Sequence, residues 1–124
     1  TLDMKATLAD LTKATLPEEQ SDSYNLTGTL LQGAKSPRQE MFFYRGSEIF
    51  AIRKGSYKLH YITQTGYGKN REEHDPPLLF NLELDPGENY NIAAEHPDVI
   101  QDINQLKEQH LAARSEVENQ LEKR

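Results

Sequence analysis

The sequence has 124 residues, of which 35% are hydrophobic and 27% charged, and its formal net charge is −6. This length predicts one domain over residues 1–124 with a modest core, and no stretch approaches the ~20 apolar residues of a membrane-spanning helix. The absence of cysteine excludes disulfides and thiolate metal sites, while the negative charge and the lack of an aromatic–glycine stacking motif argue against nucleic-acid binding.

The first predicted element is a helix over about residues 4–14. Asp3 stands where an N-cap is expected, and apolar residues recur at helical spacing. They are Met4, Leu8 and Leu11. Residues 20–37 are then predicted to form a loop-rich connection in which three leucines pack inward. These are Leu26, Leu30 and Leu31.

A meander of four antiparallel strands is predicted next. The first three strands fall at residues 41–44, 48–53 and 57–63, joined by turns at Gly46 and Gly55. The fourth strand is predicted to open at Pro76-Pro77 and to bury one alternating face. That face would consist of Leu78, Phe80, Leu82 and Leu84.

Turn chemistry closes the fourth strand, and a long helix follows it. In Asp85-Pro86-Gly87-Glu88, both acids are interpreted as structural turn residues, and Asn91 is expected to cap a short helical turn after them. Residues 97–122 predict a helix with one apolar stripe. The stripe contains Val99, Ile103, Leu106, His110, Ala113, Val117 and Leu121. The predicted fold class is α+β: a four-stranded antiparallel sheet packed against a long C-terminal helix and a shorter N-terminal helix.

The polar segment 64–75 is the strongest functional candidate, because long connections in compact domains are often functional. His60 and His74 stand near its two ends, and the hairpin is expected to bring them together at its base. No two histidines have the spacing of metal ligands, and residues 72–75 lack the ligand pattern of a calcium loop. We therefore predict no metal site in this chain.

Several separated blocks, in the same order and with similar gaps, resemble the C-terminal region of the arylsulfatases of the arylsulfatase A type, in the alkaline phosphatase superfamily. The blocks are Lys35–Gln39, Met41–Tyr44, Ala51–His60 and Asp75–Asn91. The resemblance implies a C-terminal subdomain that supports the fold of a sulfatase and forms one wall of its substrate pocket. It implies four substrate-binding residues, whose flanks align with the family. These are His60, Thr63, Gln64 and His74.

The same resemblance implies that the catalytic parts lie outside this chain. Sulfatases make a formylglycine nucleophile from Cys or Ser in Cys/Ser-x-Pro-x-Arg, and this pattern is absent here, since Ser36-Pro37-Arg38 has the wrong spacing. Formylglycine and calcium are expected in the parent enzyme, whose N-terminal catalytic domain is the partner that binds the sulfated substrate. The 124-residue chain alone is predicted to be inactive. Family members work mostly outside the cytoplasm, which implies a periplasmic, secreted or lysosomal location.

Two other functions remain open. One is the C-terminal part of a related phosphonate or phosphate ester hydrolase with the same layout. The other is a freestanding module that binds sulfated glycans through residues 35–71, where eight Lys and Arg stand against two Glu. We also expect the isolated chain to form a homodimer, through the apolar residues of the first helix or the distal part of the last one.

Overall fold

The structure, a computed structural model, describes residues 2–16, 22–66, 68 and 70–114. Its elements in chain order are α1 (Met4–Thr12), α2 (Thr27–Gln32), β1 (Glu40–Arg45), β2 (Glu48–Lys54), β3 (Tyr57–Gln64), β4 (Arg71–Asn81) and α3 (Pro97–Ala113). The four strands, the long helix α3 and the shorter helix α1 confirm the predicted α+β class. The chain divides into two compact units, Thr1–Gln39 and Glu40–Arg124.

Polar side chains organise the first unit. The buried hydroxyl of Thr7 donates to Asp3 O (2.7 Å) and accepts from Leu26 N (3.0 Å), which ties α1 to the segment before α2. Asp3 does not cap α1 with its side chain. Its carboxylate accepts from Arg38 Nε (2.7 Å) and Tyr24 N (2.9 Å) instead.

The prediction for the leucines of this unit is wrong for two of the three. Leu30 and Leu31 lie in the short helix α2, where they are 66% and 68% exposed, and Leu26 is partly buried. A helix of six residues presents little surface to α1, so two consecutive leucines at its end cannot both turn inward.

The second unit is built on a meander with strand order β1-β2-β3-β4, antiparallel throughout. The turns at Gly46 and Gly55 are confirmed, and both glycines have positive φ (60° and 58°), which a side chain would oppose. Residues directly opposite one another on neighbouring strands share one face of the sheet. One such row runs across all four strands: Phe42, Ile52, Leu59 and Leu79.

Helix α3 packs on the face that carries this row and closes the core. Ile103 is fully buried against the sheet, with Val99 and Leu106 partly buried beside it. His110 stacks on Phe42, with 3.7 Å between the ring centroids. The predicted apolar stripe is therefore confirmed from Val99 to His110. Ala113, at the end of α3, is exposed and does not extend the stripe, while its distal members Val117 and Leu121 lie outside the described residues.

Strand β4 departs from the prediction at both ends. It begins at Arg71 and pairs there with the end of β3, so the connection that was predicted to span residues 64–75 is reduced to 65–70. Pro76 and Pro77 do not open the strand. They lie where the register shifts, between the pairs Ile62↔Glu73 and His60↔Leu78, and an irregular stretch tolerates the missing backbone donors of proline.

The predicted buried face of β4 is also only partly right. Leu79, which the alternation would turn outward, is fully buried, whereas Leu84 is 83% exposed. The strand ends at Asn81, whose Oδ1 accepts from Glu83 N (3.0 Å) and starts a turn. Residues beyond Asn81 therefore leave the ladder and no longer alternate between its faces.

Candidate functional site

The sheet face opposite α3 carries a cleft of about 350 Å³. Phe43, Ala51 and His60 are neighbours in one register row on this face. The cleft is lined by Phe43, Phe50, Ala51, Lys58, His60, Ile62, Thr63, Gln64 and Thr65, and we call it the β3 cleft. Its walls combine aromatic rings with a few polar groups that converge from β3, as small-molecule sites commonly do.

A carboxylate from the loop after β4 joins the two basic side chains of the cleft. Glu88 Oε1 accepts from Lys58 Nζ (2.5 Å), and Glu88 Oε2 lies 2.6 Å from His60 Nε2. The His60 ring meets Phe80 edge to face at 5.7 Å, and the ammonium of Lys58 lies 5.0 Å from the centroid of Phe43. Lys58, His60 and Glu88 are therefore each held by two contacts.

Burial and charge set the protonation of this cluster. Burial lowers the pKa of His60, as does the charge of Lys58, and these effects outweigh the opposite influence of Glu88. Burial alone would raise the pKa of Glu88, but the hydrogen bonds from Lys58 and His60 and the charge of Lys58 lower it on balance. Both directions favour a neutral imidazole beside an ionised carboxylate at neutral pH.

The other predicted site residues lie around the end of β3. Thr63 Oγ1 is 2.8 Å from His74 Nε2, so these two form a pair across β3 and β4. Gln64 Oε1 accepts from Arg45 Nη1 (2.5 Å), which also donates to Gly66 O (3.2 Å) and so ties the end of β1 to the residues directly after β3.

The structure thus brings three of the four predicted residues into one cleft. His60, Thr63 and Gln64 line the β3 cleft, whereas His74 reaches it through Thr63 and itself lines a second cavity of about 420 Å³. His60 and His74 were expected to meet at the base of the hairpin. His60 instead pairs with Glu88, although His74 is near enough for its charge to lower the pKa of His60 further.

Sequence reasoning missed Glu88 as a member of the site, because it was interpreted only as a turn residue. Glu88 has φ 54°, an unusual conformation for a residue with a side chain. One signal was present in the sequence: Lys58 and His60 lie on the same face of a strand and call for a counter-charge. The turn Asp85–Glu88 supplies it.

Two features are absent from the part of the chain that the structure describes. No helix there is both long enough and apolar enough to cross a bilayer. Among those same residues, no three His, Asp or Glu side chains come together in a way that could hold a metal ion.

Comparison with known proteins gives consistent matches. A family model described as the C-terminal region of aryl-sulfatase matches residues 36–124. Arylsulfatase A of Homo sapiens is 40% identical over 129 residues, covering 86% of this chain and 25% of that protein. The N-acetylgalactosamine-6-O-sulfatase of Bacteroides thetaiotaomicron is 32% identical over 117 residues, covering 86% of this chain and 22% of that protein.

A solved structure, from work on the metabolism of multiple glycosaminoglycans by Bacteroides thetaiotaomicron, has the same arrangement. It superposes with a TM-score of 0.65 at 31% identity, covering 86% of this chain and 24% of that one. The chain therefore spans about a quarter of the length of the relatives that it matches.

Proposed function

The chain belongs to the family of C-terminal regions of aryl-sulfatases, and we propose that it completes a sulfuric ester hydrolase by supporting the fold and forming one wall of the substrate pocket. The family match over residues 36–124 confirms the resemblance expected from the sequence blocks. It is the observation that carries the proposal. The coverage of only a quarter of each relative supports a subdomain role rather than a complete enzyme.

The β3 cleft is the surface that we assign to the pocket wall. In the second unit, α3 covers the opposite face of the sheet, and Phe43 remains 36% exposed on the cleft side. Aromatic surface of this kind commonly marks a contact with another protein or with a ligand. We assign that contact to an N-terminal catalytic domain of the same protein, with the sulfated substrate between the two.

Within the cleft, the proposed substrate contacts are Thr63, Gln64 and His60. His74 acts through its hydrogen bond with Thr63. The hydroxyl and amide groups of these side chains suit the polar groups of a sulfate ester substrate. All four are held in place by the hydrogen bonds described above, so they are already ordered before a ligand binds.

The catalytic groups of such an enzyme are proposed to lie in the catalytic domain. This chain has no cysteine and no Cys/Ser-x-Pro-x-Arg pattern, so it does not fit a formylglycine site. The described residues likewise offer no group of ligands that fits calcium. We propose that both belong to the parent enzyme, and that this enzyme works outside the cytoplasm, in the periplasm, in a secretion or in the lysosome.

Kinetics of a full-length sulfatase that carries this sequence test the proposal. Thr63→Val and Gln64→Ala are each expected to raise KM about 5-fold, the equivalent of one hydrogen bond of about 1 kcal/mol. Gln105→Ala, on the exposed side of α3, is the matched control and should leave KM unchanged. If both cleft variants keep the wild-type KM, the cleft is not a pocket wall.

The purified 124-residue chain provides a second test. It is expected to hydrolyse an aryl sulfate no faster than buffer does. Turnover above the buffer rate would contradict the assignment of catalysis to another domain.

A further inference from the structure

We propose that His60 presents a hydrogen-bond acceptor, the lone pair of Nδ1, to the β3 cleft, and so recognises a hydroxyl or amide N–H of the substrate and not its sulfate group. This inference rests on the proposed function, because it takes the cleft to face the substrate. It adds an assignment of the chemical group of the substrate that His60 contacts.

The geometry at Nε2 decides where the first proton of the imidazole resides. Glu88 Oε2 is 2.6 Å from His60 Nε2, and an ionised carboxylate can only accept a hydrogen bond. Lys58 donates to the other oxygen of the same carboxylate, at 2.5 Å, and thereby favours its ionised form. Nε2 of His60 must therefore carry a proton, as in other carboxylate–histidine pairs.

The surroundings of the ring decide whether Nδ1 carries a second proton. The side chain of His60 is only 15% exposed, and a charged imidazole is costly to bury. The cationic groups that face the ring are Lys58 in β3 and, when protonated, His74 in β4, and both oppose a further positive charge. The carboxylate of Glu88 favours that charge, but it is already shared with Lys58.

A neutral imidazole protonated at Nε2 has a bare Nδ1, which is an acceptor only. Among the described residues, the hydrogen bond made by His60 is the one at Nε2. Contact with Phe80 at 5.7 Å fixes the plane of the ring, so the acceptor is held in a defined orientation.

The charge balance of the cluster points to the same kind of ligand group. Lys58 and Glu88 neutralise each other, and His60 adds no charge, so this cluster has no excess positive charge for a sulfate. A sulfate oxygen would meet the lone pair of Nδ1 and be repelled, whereas a hydroxyl or amide N–H would donate to it.

In this arrangement Glu88 is a positioning residue. Its carboxylate fixes the tautomer of His60 through the hydrogen bond at Nε2 and does not itself contact the ligand. In Glu88→Gln the side-chain amide can either accept from Nε2–H or donate to a bare Nε2, so the tautomer is no longer fixed.

Nitrogen-15 NMR of the imidazole rings in the 124-residue chain at pH 7 tests the inference without any substrate. We expect Nε2 of His60 to be protonated and Nδ1 to be bare, and the Glu88→Gln variant to give a mixture of the two tautomers. The His60→Gln variant assigns the signals. A protonated Nδ1 in the unmutated chain, in either the neutral or the charged ring, would overturn the proposal.

Kinetics of a full-length sulfatase that carries this sequence then test the ligand contact. The probes are N-acetylgalactosamine 6-sulfate and its analogues that each lack one hydroxyl or the amide. We expect one analogue to be bound about 5-fold more weakly than the parent sugar, and His60→Leu to abolish this difference.

The outcomes separate the inference from the proposed function. If Thr63→Val and Gln64→Ala raise KM while His60→Leu keeps the preference, only the inference is wrong. If NMR gives the expected tautomer and no cleft variant affects KM, the cleft does not face the substrate, and both the proposed function and the substrate contact fail.

Discussion

Asp3 and Arg38 form a two-point ion pair, with Asp3 Oδ2 accepting from Arg38 Nε at 2.7 Å and Asp3 Oδ1 from Arg38 Nη2 at 2.5 Å. Arg38 Nη2 also donates to Asp22 O at 2.5 Å. The pair joins the start of α1 to the segment before β1, within the first unit. Because the helices of this unit bury few apolar side chains, the ion pair is a main organising contact there.

The stability of the first unit is therefore expected to fall in strong acid. The hydrogen bond from Arg38 is the main cause that lowers the pKa of Asp3 from 3.8 to about 2. A lowered acid pKa stabilises the fold at pH values above 3.8, and this contribution is lost as the pH falls through about 2. Asp3→Asn should remove this part of the pH dependence, measured by thermal unfolding across that range.

The exposed residue Glu108 provides the control for this experiment. Glu108→Gln, on α3, should keep the wild-type pH profile. Because each variant is compared with wild type, the other acids with lowered pKa values cancel from the difference. An unchanged profile for Asp3→Asn would mean that the ion pair does not contribute to stability.

The sequence predicted those parts of the fold that local signals determine. The turns at Gly46 and Gly55 require positive φ, and the alternation in β2 and β3 is regular enough to place both strands. The polar start of β4 could not be predicted in this way, because Arg71 and its neighbours join the sheet through backbone pairing with the end of β3. Their side chains carry no apolar pattern.

The site was predictable to a similar extent. Thr63 and His74 were both expected to be functional, but their hydrogen bond follows from the pairing of β3 with β4, which composition does not encode. Glu88 reaches His60 because a turn with positive φ directs the chain back over the sheet. Contacts of this kind, 28 residues apart in the sequence, depend on the tertiary fold.

Leucine truncations test the assignment of the buried face. Leu59 is fully buried in the core, so Leu59→Ala should lower the free energy of unfolding by about 2–5 kcal/mol. Leu84→Ala removes the same atoms from a residue that is 83% exposed, and should change that free energy by less than about 0.5 kcal/mol. Urea unfolding measures both. Equal losses would show that the turn after Asn81 is wrongly placed.

Ion pairing in the basic region bears on the glycan-binding alternative. Among the residues of this region that the structure describes, at least four basic side chains are paired with carboxylates. They are Arg38, Lys54, Lys58 and Arg71. We therefore expect the chain to elute from heparin at or below physiological ionic strength, and Glu88→Gln, which releases Lys58, to elute later. Retention of the unmutated chain above physiological salt would favour the freestanding glycan-binding module.

Apolar surface on α1 predicts self-association of the isolated chain. Met4, Leu8 and Leu11 are 51%, 49% and 45% exposed, and they share helical spacing. Exposed apolar stripes of this kind drive association in the absence of a natural partner. Sedimentation should show a dimer that Leu8→Glu dissociates and the control Leu84→Glu does not. A strict monomer at high concentration would contradict the prediction.

Asn91 is expected to be the most sensitive polar residue of the loop after β4. Its Oδ1 accepts from Leu79 N and from Ala93 N, both at 3.0 Å, while Ile92 N donates to Leu79 O at 2.9 Å. Both backbone groups of the fully buried Leu79 thus depend on residues 91 and 92. Asn91→Ala leaves the N–H of Leu79 unpaired, which should cost about 1–3 kcal/mol.

Two matched variants make this prediction specific to the acceptor oxygen. Asn91→Asp keeps that oxygen and should remain close to wild type at neutral pH. Asn89→Ala removes only the exposed bond from Asn89 Nδ2 to Asp85 Oδ1 (3.0 Å) and should cost less than Asn91→Ala. Urea unfolding gives the free energies, and hydrogen exchange of the Leu79 amide should accelerate in Asn91→Ala alone. If exchange of the Leu79 amide were unchanged in Asn91→Ala, a strand ladder and not Asn91 would be protecting that amide. The loop would then not pair with β4.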